Sequence, residues 1–118
     1  MSAEIQMTVG GQTFPVMLEE NDAAKDLMKR LPLSLVFENY GSLERISYLK
    51  EKLELGNAPR STTPAAGDLT YYAPWNNLAV FKGSFRTSPG LVPLGKLSPE
   101  ALKAIVNSED QIIRFENK

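Results

Sequence analysis

Residues 63–96 read TPAAGDLTYYAPWNNLAVFKGSFRTSPGLVPLGK, and this stretch decides the fold. Two runs rich in aliphatic and aromatic residues, Asp68–Ala73 and Asn77–Lys82, lie on either side of a Pro-Trp-Asn sequence at 74–76. Asn tolerates a positive φ, so this interruption is typical of a tight turn between two strands. A third run, Gly90–Leu94, lies between glycines at its two ends. The stretch therefore predicts three short strands in succession and a β-rich fold.

The N-terminal part predicts a β-hairpin. Apolar and polar residues alternate through Glu4–Val9 and again through Gln12–Leu18, with a Gly-Gly pair between the two runs. A two-residue glycine loop is typical of a primed hairpin turn, and it places Met7 opposite Phe14, so the apolar side chains of both strands share one face. Pro15 has no N–H to donate, which places the second strand at an edge or a bulge there.

Two short amphipathic helices are predicted. Asn21 is a suitable N-cap for the first helix, of about three turns, and Pro32 ends it. Ser98, followed by proline at the first helical position, begins the second helix, and Asn107 ends it. Apolar residues recur at helical spacing in both segments: Ala24, Leu27, Met28 and Leu31 in the first, and Leu102, Ile105 and Val106 in the second.

The remaining segments are strands, a loop and one ambiguous region. Leu33–Asn39 and Gln111–Glu116 alternate as strands do. In residues 40–56, leucine and isoleucine spacing fits a helix, but Arg45–Leu49 also fits a strand followed by a single helical turn near Leu53. We favour the strand because its neighbours are β. Gly56–Gly67 is rich in Pro, Ser, Thr and Asn, which predicts an exposed loop.

Length and charge limit the classes of protein. The 118 residues make one domain, residues 1–118, and no linker or internal repeat divides them. The net charge is −1 and the basic residues are dispersed, so we expect no nucleic-acid partner. No apolar run is long enough to span a bilayer, so we expect no membrane partner. A cytoplasmic location is the default expectation, and earlier removal of a signal peptide is left open.

The chain contains neither cysteine nor histidine. Disulfides, thiolate nucleophiles, Ser-His-Asp hydrolysis and histidine-bound metals are therefore excluded. Oxygen ligands for calcium or magnesium are present, but no spaced loop of the EF-hand type occurs. We expect no metal and no cofactor.

Two motifs of the central stretch carry a family resemblance. P-x-x-G-D-L-x-Y-Y-x-P-W-x-N-L-x-x-F at Pro64–Phe81 and S-P-G-L-V-x-L-G-K at Ser88–Lys96 are similar to those of the bacterial and archaeal cyclophilin-like family, whose functions are mostly unassigned. The resemblance implies a mainly β fold, a closed eight-stranded antiparallel barrel capped by two short helices. It also relates the fold to the peptidyl-prolyl isomerases.

The resemblance to the isomerases is only partial at the residues that form their proline-binding pocket. Such enzymes hold an Xaa-Pro segment in an apolar pocket beside an arginine, and Arg86 precedes a Ser-Pro-Gly sequence as in their motif. Leu91 replaces the pocket phenylalanine, Leu94 replaces a glutamine, and the pocket histidine has no counterpart. Arg86 is therefore the one candidate catalytic residue, and the alternative is a solvated or salt-bridged loop residue.

The candidate binding residues all belong to the central stretch. They are Tyr72, Trp75, Phe81, Phe85, Arg86 and Leu91. Aromatic side chains with a polar tip are common in ligand pockets, but they also pack in cores. The alternative for Trp75 is that it plugs one end of the barrel, with one residue of the Tyr71-Tyr72 pair in the core.

Three functions are compatible with these features. The leading hypothesis is a non-catalytic barrel that binds a small molecule or a short peptide. The second is a peptidyl-prolyl cis-trans isomerase with Arg86 as its anchor. The third is a structural module that self-associates through an exposed strand near Pro15, and a monomer or a weak homo-oligomer is expected. The sequence does not identify the ligand.

Overall fold

The structure, a computed structural model, describes residues 3–118, which form eleven strands and two helices. The strands in chain order are β1 (Ala3–Val9), β2 (Gln12–Leu18), β3 (Leu33–Val36), β4 (Glu38–Tyr40), β5 (Glu44–Tyr48), β6 (Ser61–Thr62), β7 (Asp68–Tyr72), β8 (Asn77–Phe81), β9 (Ser88–Pro89), β10 (Leu91–Leu97) and β11 (Ile112–Asn117). The helices are α1 (Asp22–Lys29) and α2 (Pro99–Val106), and a 3-10 turn covers Ala73–Trp75.

Nine of these strands form one antiparallel, nearly closed barrel. Their order is β3-β11-β1-β2-β10-β7-β8-β5-β4, and β6 pairs with β9 in a separate two-stranded sheet. The two end strands, β3 and β4, are consecutive in the chain and flank Phe37, whose side chain is buried. The mainly β barrel with two helices is thus confirmed. Nine strands replace the predicted eight because Phe37 divides the single strand predicted at Leu33–Asn39.

The N-terminal hairpin has the predicted register. Met7 pairs with Phe14 and Gln6 with Pro15, and both turn glycines have positive φ values of 58° and 79°. On its other side, β2 pairs with β10 from Val16 to Leu18 only. Pro15 therefore lies where the outer edge of β2 has no partner strand, and its missing N–H removes no hydrogen bond from the ladder.

Both helices begin at the predicted caps, and α2 also ends at its predicted cap, whereas α1 ends at Lys29, before the predicted stop at Pro32. The Asn21 side-chain oxygen accepts from the Ala24 N–H at 2.9 Å, and the Ser98 hydroxyl accepts from the Ala101 N–H at 3.1 Å. Asn107 caps the C-terminus of α2. Helix α1 has 8 residues, which is about two turns, so it is one turn shorter than predicted.

The structure of residues 49–67 differs from two sequence-based expectations. The strand predicted at Arg45–Leu49 is present as β5, but no helical turn follows near Leu53. Leu53 is buried in irregular chain and its N–H donates to the Tyr71 hydroxyl at 3.3 Å. The segment 56–67 is also less exposed than predicted, because Ala58 lies in the core and β6 forms there. Tertiary contacts, rather than helical periodicity, explain the apolar spacing in this region.

The barrel has two separate apolar clusters. The larger one fills the interior and includes Leu78 and Val80 of β8. A smaller cluster of Ile46, Ala79, Phe81 and Leu91 lies apart from it, with Tyr72 and Phe85 packed against it. Because side chains alternate along a strand, Ala79 and Phe81 lie on the face of the sheet opposite the interior. The second cluster is therefore a small, buried apolar core on the outer face of the sheet.

Candidate binding pocket

Strand pairing brings distant residues together on this outer face. Residues directly opposite each other in an antiparallel ladder project to the same side. Glu44 of β5 is opposite Tyr40 of β4 and Phe81 of β8, which puts these three side chains in one row across the sheet. Leu91 of β10 is opposite Tyr72 of β7. The face thus combines aliphatic and aromatic groups with a single carboxyl in that row.

A pocket of about 370 Å³ opens on this face. Its lining residues are Tyr40, Glu44, Ile46, Tyr72, Trp75, Phe81, Phe85, Arg86, Thr87, Ser88, Pro89 and Leu91. All six candidate binding residues from the sequence are among them. The structure brings these residues together around one cavity, and their role in ligand binding stays a prediction.

Trp75 is held in the pocket by the turn that carries it. Asn76 adopts the left-handed conformation at φ 56°. Its side-chain N–H donates to the Leu49 carbonyl at 2.9 Å, and its side-chain oxygen accepts from the Tyr71 hydroxyl at 2.6 Å. These bonds anchor the turn to the barrel. Trp75 is 45% exposed, so the alternative that it plugs a barrel end is wrong, whereas Tyr71 is the buried residue of the tyrosine pair.

Three aromatic rings meet at approximately right angles on one side of the pocket. The Trp75 ring lies 5.3 Å from the Tyr40 ring, at 82°, and 5.4 Å from the Tyr72 ring, at 81°, measured between ring centroids. We refer to Tyr40, Tyr72 and Trp75 as the aromatic trio. Edge-to-face contacts of this kind are favourable and fix the rings relative to one another.

The pocket also contains a stacked pair of phenylalanine rings and the candidate arginine. The Phe81 and Phe85 rings are stacked with centroids 6.3 Å apart, and the Arg86 guanidinium carbon lies 4.6 Å from the centre of the Phe85 ring. Arg86 is exposed to solvent. Arg86 is thus a solvated loop residue that borders the cavity, and a catalytic role for it stays a prediction.

Glu44 is a pocket residue that the sequence did not reveal. Its side chain is partly buried, and this burial raises the pKa of the Glu44 carboxyl. Within residues 3–118 the carboxyl has no hydrogen bond or ion pair. Tyr40 and Ile46 were missed as well. The alternation of Glu44 and Ile46 was a usable signal, but it fell in the region where helix and strand were not distinguished.

Two further properties apply to residues 3–118. No group of three or more His, Cys, Asp or Glu side chains in that range is arranged to hold a metal ion. Neither of the helices found there has the length and apolar character needed to cross a membrane.

The chain is a small antiparallel barrel with a pocket on its outer face. Comparison with known proteins identifies the family of such barrels to which it belongs. The model of the cyclophilin-like family matches residues 7–116, so the chain belongs to that family. This confirms the resemblance seen in the two central motifs. No curated protein shows significant sequence similarity to the chain.

Among solved structures, the chain is similar to a hypothetical protein from Archaeoglobus fulgidus whose solution structure is known. The TM-score is 0.70 with 14% sequence identity, and the match covers 99% of this chain and 95% of that one. At this identity the similarity shows a shared fold alone, so function has to be argued from the pocket.

Proposed function

We propose that this cyclophilin-like barrel is a non-catalytic binding module that takes a small molecule or a short peptide in its outer-face pocket. The observation that carries the proposal is the convergence of Tyr72, Trp75, Phe81, Phe85 and Leu91 on one cavity of about 370 Å³. Ligand sites are typically concave, of about 300–1,000 Å³, and mostly apolar with a few polar groups. The cavity has a volume in this range, and its lining combines aromatic and aliphatic side chains with polar ones that include Glu44 and Arg86.

The exposure of its aromatic residues supports the proposal further. Tyr40 and Trp75 are 46% and 45% exposed, although both belong to the aromatic trio. Large rings clustered at a concave surface expose apolar area to water, and a bound ligand would bury this area. No histidine or cysteine is available to add acid-base or nucleophilic chemistry at the site.

The test is a binding screen with the only tryptophan as the reporter. Trp75 lies in the pocket, so small molecules and short peptides that enter it should change its fluorescence. Saturable binding that is lost in Phe85→Ala and Arg86→Ala, with both variants folded by circular dichroism, is the expected result. Calorimetry replaces fluorescence for Trp75→Ala, which should also abolish binding. Tyr48→Ala is the matched control, because Tyr48 is 54% exposed and does not line the pocket. Equal loss in the control would contradict the proposal.

A second candidate function is peptidyl-prolyl isomerisation. The observation that favours it is that Arg86 borders the same cavity as Phe81 and Leu91, which would serve as the proline-binding surface. An arginine that hydrogen-bonds the twisted prolyl amide would lower a barrier of about 18–20 kcal/mol. The missing histidine, and the leucines in place of phenylalanine and glutamine, weaken this candidate.

An isomerisation assay on Xaa-Pro peptides separates the two candidates. The uncatalysed exchange takes roughly tens to hundreds of seconds, so even modest acceleration is measurable. Acceleration that disappears in Arg86→Ala would establish the isomerase. Peptide binding without acceleration at high protein concentration would leave the binding module.

A further inference from the structure

The pocket contains a carboxyl whose charge has no partner within residues 3–118. Glu44 is partly buried between Tyr40 and Phe81 in its row of the sheet. The charged group that borders the same pocket, Arg86, lies over the Phe85 ring and makes no ion pair with Glu44. A carboxylate that is partly removed from water without a partner is destabilised, and a cation from outside the chain would relieve this.

The aromatic trio provides a second attraction for a cation beside this carboxyl. Ring faces carry negative charge density, and a cation within about 6 Å of a ring centroid is attracted to it. Tyr40 belongs to the trio and is also the direct cross-strand neighbour of Glu44, so the rings and the carboxyl line one continuous wall. An anionic ligand would meet like charge here, and a neutral ligand would leave the Glu44 charge uncompensated.

The chemistry of the wall also selects the type of cation. Calcium and magnesium need about six or more oxygen ligands, and this wall offers a single carboxylate. A small, strongly hydrated ammonium ion loses much of its hydration among aromatic rings. An alkylated ammonium group holds water weakly and presents methyl groups to the rings, which is the recognition that aromatic cages provide.

We infer that the pocket binds an organic cation through an alkylated ammonium group, which packs on Tyr40, Tyr72 and Trp75 while Glu44 supplies the opposing charge. The inference rests on the proposed binding function and names the ligand class for that same site. Phe81, Phe85 and Leu91 then contact the apolar remainder of the ligand.

The experiment compares choline with 3,3-dimethylbutan-1-ol, which has the same shape but carries carbon in place of the charged nitrogen. Both are titrated against the full chain at constant ionic strength, with Trp75 fluorescence as the readout. Choline should bind at least about tenfold more tightly, a difference of about 1.4 kcal/mol. Glu44→Gln keeps the shape of the side chain and should remove most of this preference. Glu38→Gln is the matched control, because Glu38 is an exposed carboxylate of β4 outside the pocket lining and should leave the preference unchanged.

A second pair of variants tests the rings independently of Glu44. Tyr40→Leu should weaken choline binding about tenfold, whereas Tyr48→Leu, an exposed tyrosine of β5, should not change it. Both positions are largely exposed, so neither replacement disturbs the interior of the barrel.

The outcomes separate this inference from the proposed function. Equal affinity for choline and the neutral alcohol would overturn the cation class and keep the pocket as a binding site. The cation class would also be wrong if neither probe binds while neutral fragments or peptides still change Trp75 fluorescence. If no probe of any charge binds, both the inference and the proposed function fail.

Discussion

Tyr71→Phe tests how the interior of the barrel positions the pocket. The Tyr71 hydroxyl donates to the Asn76 side-chain oxygen at 2.6 Å and accepts from the Leu53 N–H at 3.3 Å. Removing it leaves the buried Leu53 N–H without an acceptor, which costs about 1–3 kcal/mol, and loses a bond to the turn that contributes about 0.5–1.5 kcal/mol. Asn76 keeps its bond to the Leu49 carbonyl. We therefore expect a loss of about 2–3 kcal/mol in the free energy of unfolding.

The assay is urea unfolding followed by circular dichroism, with Tyr72→Phe as the matched control. The Tyr72 hydroxyl makes no hydrogen bond within residues 3–118, so its removal should change stability by less than about 0.5 kcal/mol. Trp75 emission in the native state should shift in Tyr71→Phe, because the turn that carries Trp75 loses an anchor. If the two variants are equally stable, the hydroxyl bridge does not hold the turn and this reasoning is refuted.

Three further changes test the closure of the barrel, the helix cap and the pocket carboxyl. Gly95→Ala would place its Cβ in a steric clash with the Met17 carbonyl oxygen, so β2 and β10 must separate, and a loss of more than about 2 kcal/mol in urea unfolding is expected. Asn21→Ala removes the α1 cap and the bond to the Pro93 carbonyl, so unfolding should become easier by about 1–2 kcal/mol, and an unchanged midpoint would contradict this role. Burial raises the pKa of Glu44, so the folded state keeps this proton to a higher pH than the unfolded state, and stability should fall as the pH rises from 4.5 through the folded pKa. Glu44→Gln should remove that part of the decline, as measured by urea midpoints across this pH range.

Local sequence signals predicted the parts of the fold that depend on neighbouring residues. The Gly-Gly turn and the alternation on either side set the register of the first hairpin, and Asn21 and Ser98 marked the helix starts because their side chains bond N–H groups three residues later. The division of the strand predicted at Leu33–Asn39 into β3 and β4 could not be predicted in this way. It depends on Phe37 packing into an interior that distant strands build.

The residues that line the pocket could also be predicted only where they are close together in the sequence. Nine of the pocket's twelve lining residues lie between Tyr72 and Leu91 in one aromatic-rich stretch, and six of these nine were predicted from it. Tyr40, Glu44 and Ile46 reach the cavity through the β4–β5 and β5–β8 ladders, and no local pattern indicates that pairing. Leu53 added to the difficulty, since its burial in irregular chain imitates helical spacing.

Tyr40 lies on the strand that ends the nine-stranded sheet. β4 pairs with β5 alone, through three residues that are all exposed, so these amides should exchange with solvent faster than those of the inner strands. Trp75, in contrast, is carried by a turn anchored to the barrel. A ligand that contacts both the Tyr40 and the Trp75 rings would connect the weakly paired strand β4 to the anchored turn that carries Trp75. We therefore expect ligand binding to slow deuterium uptake at residues 38–40. The closure of the barrel at β4 would then depend on whether the ligand is bound.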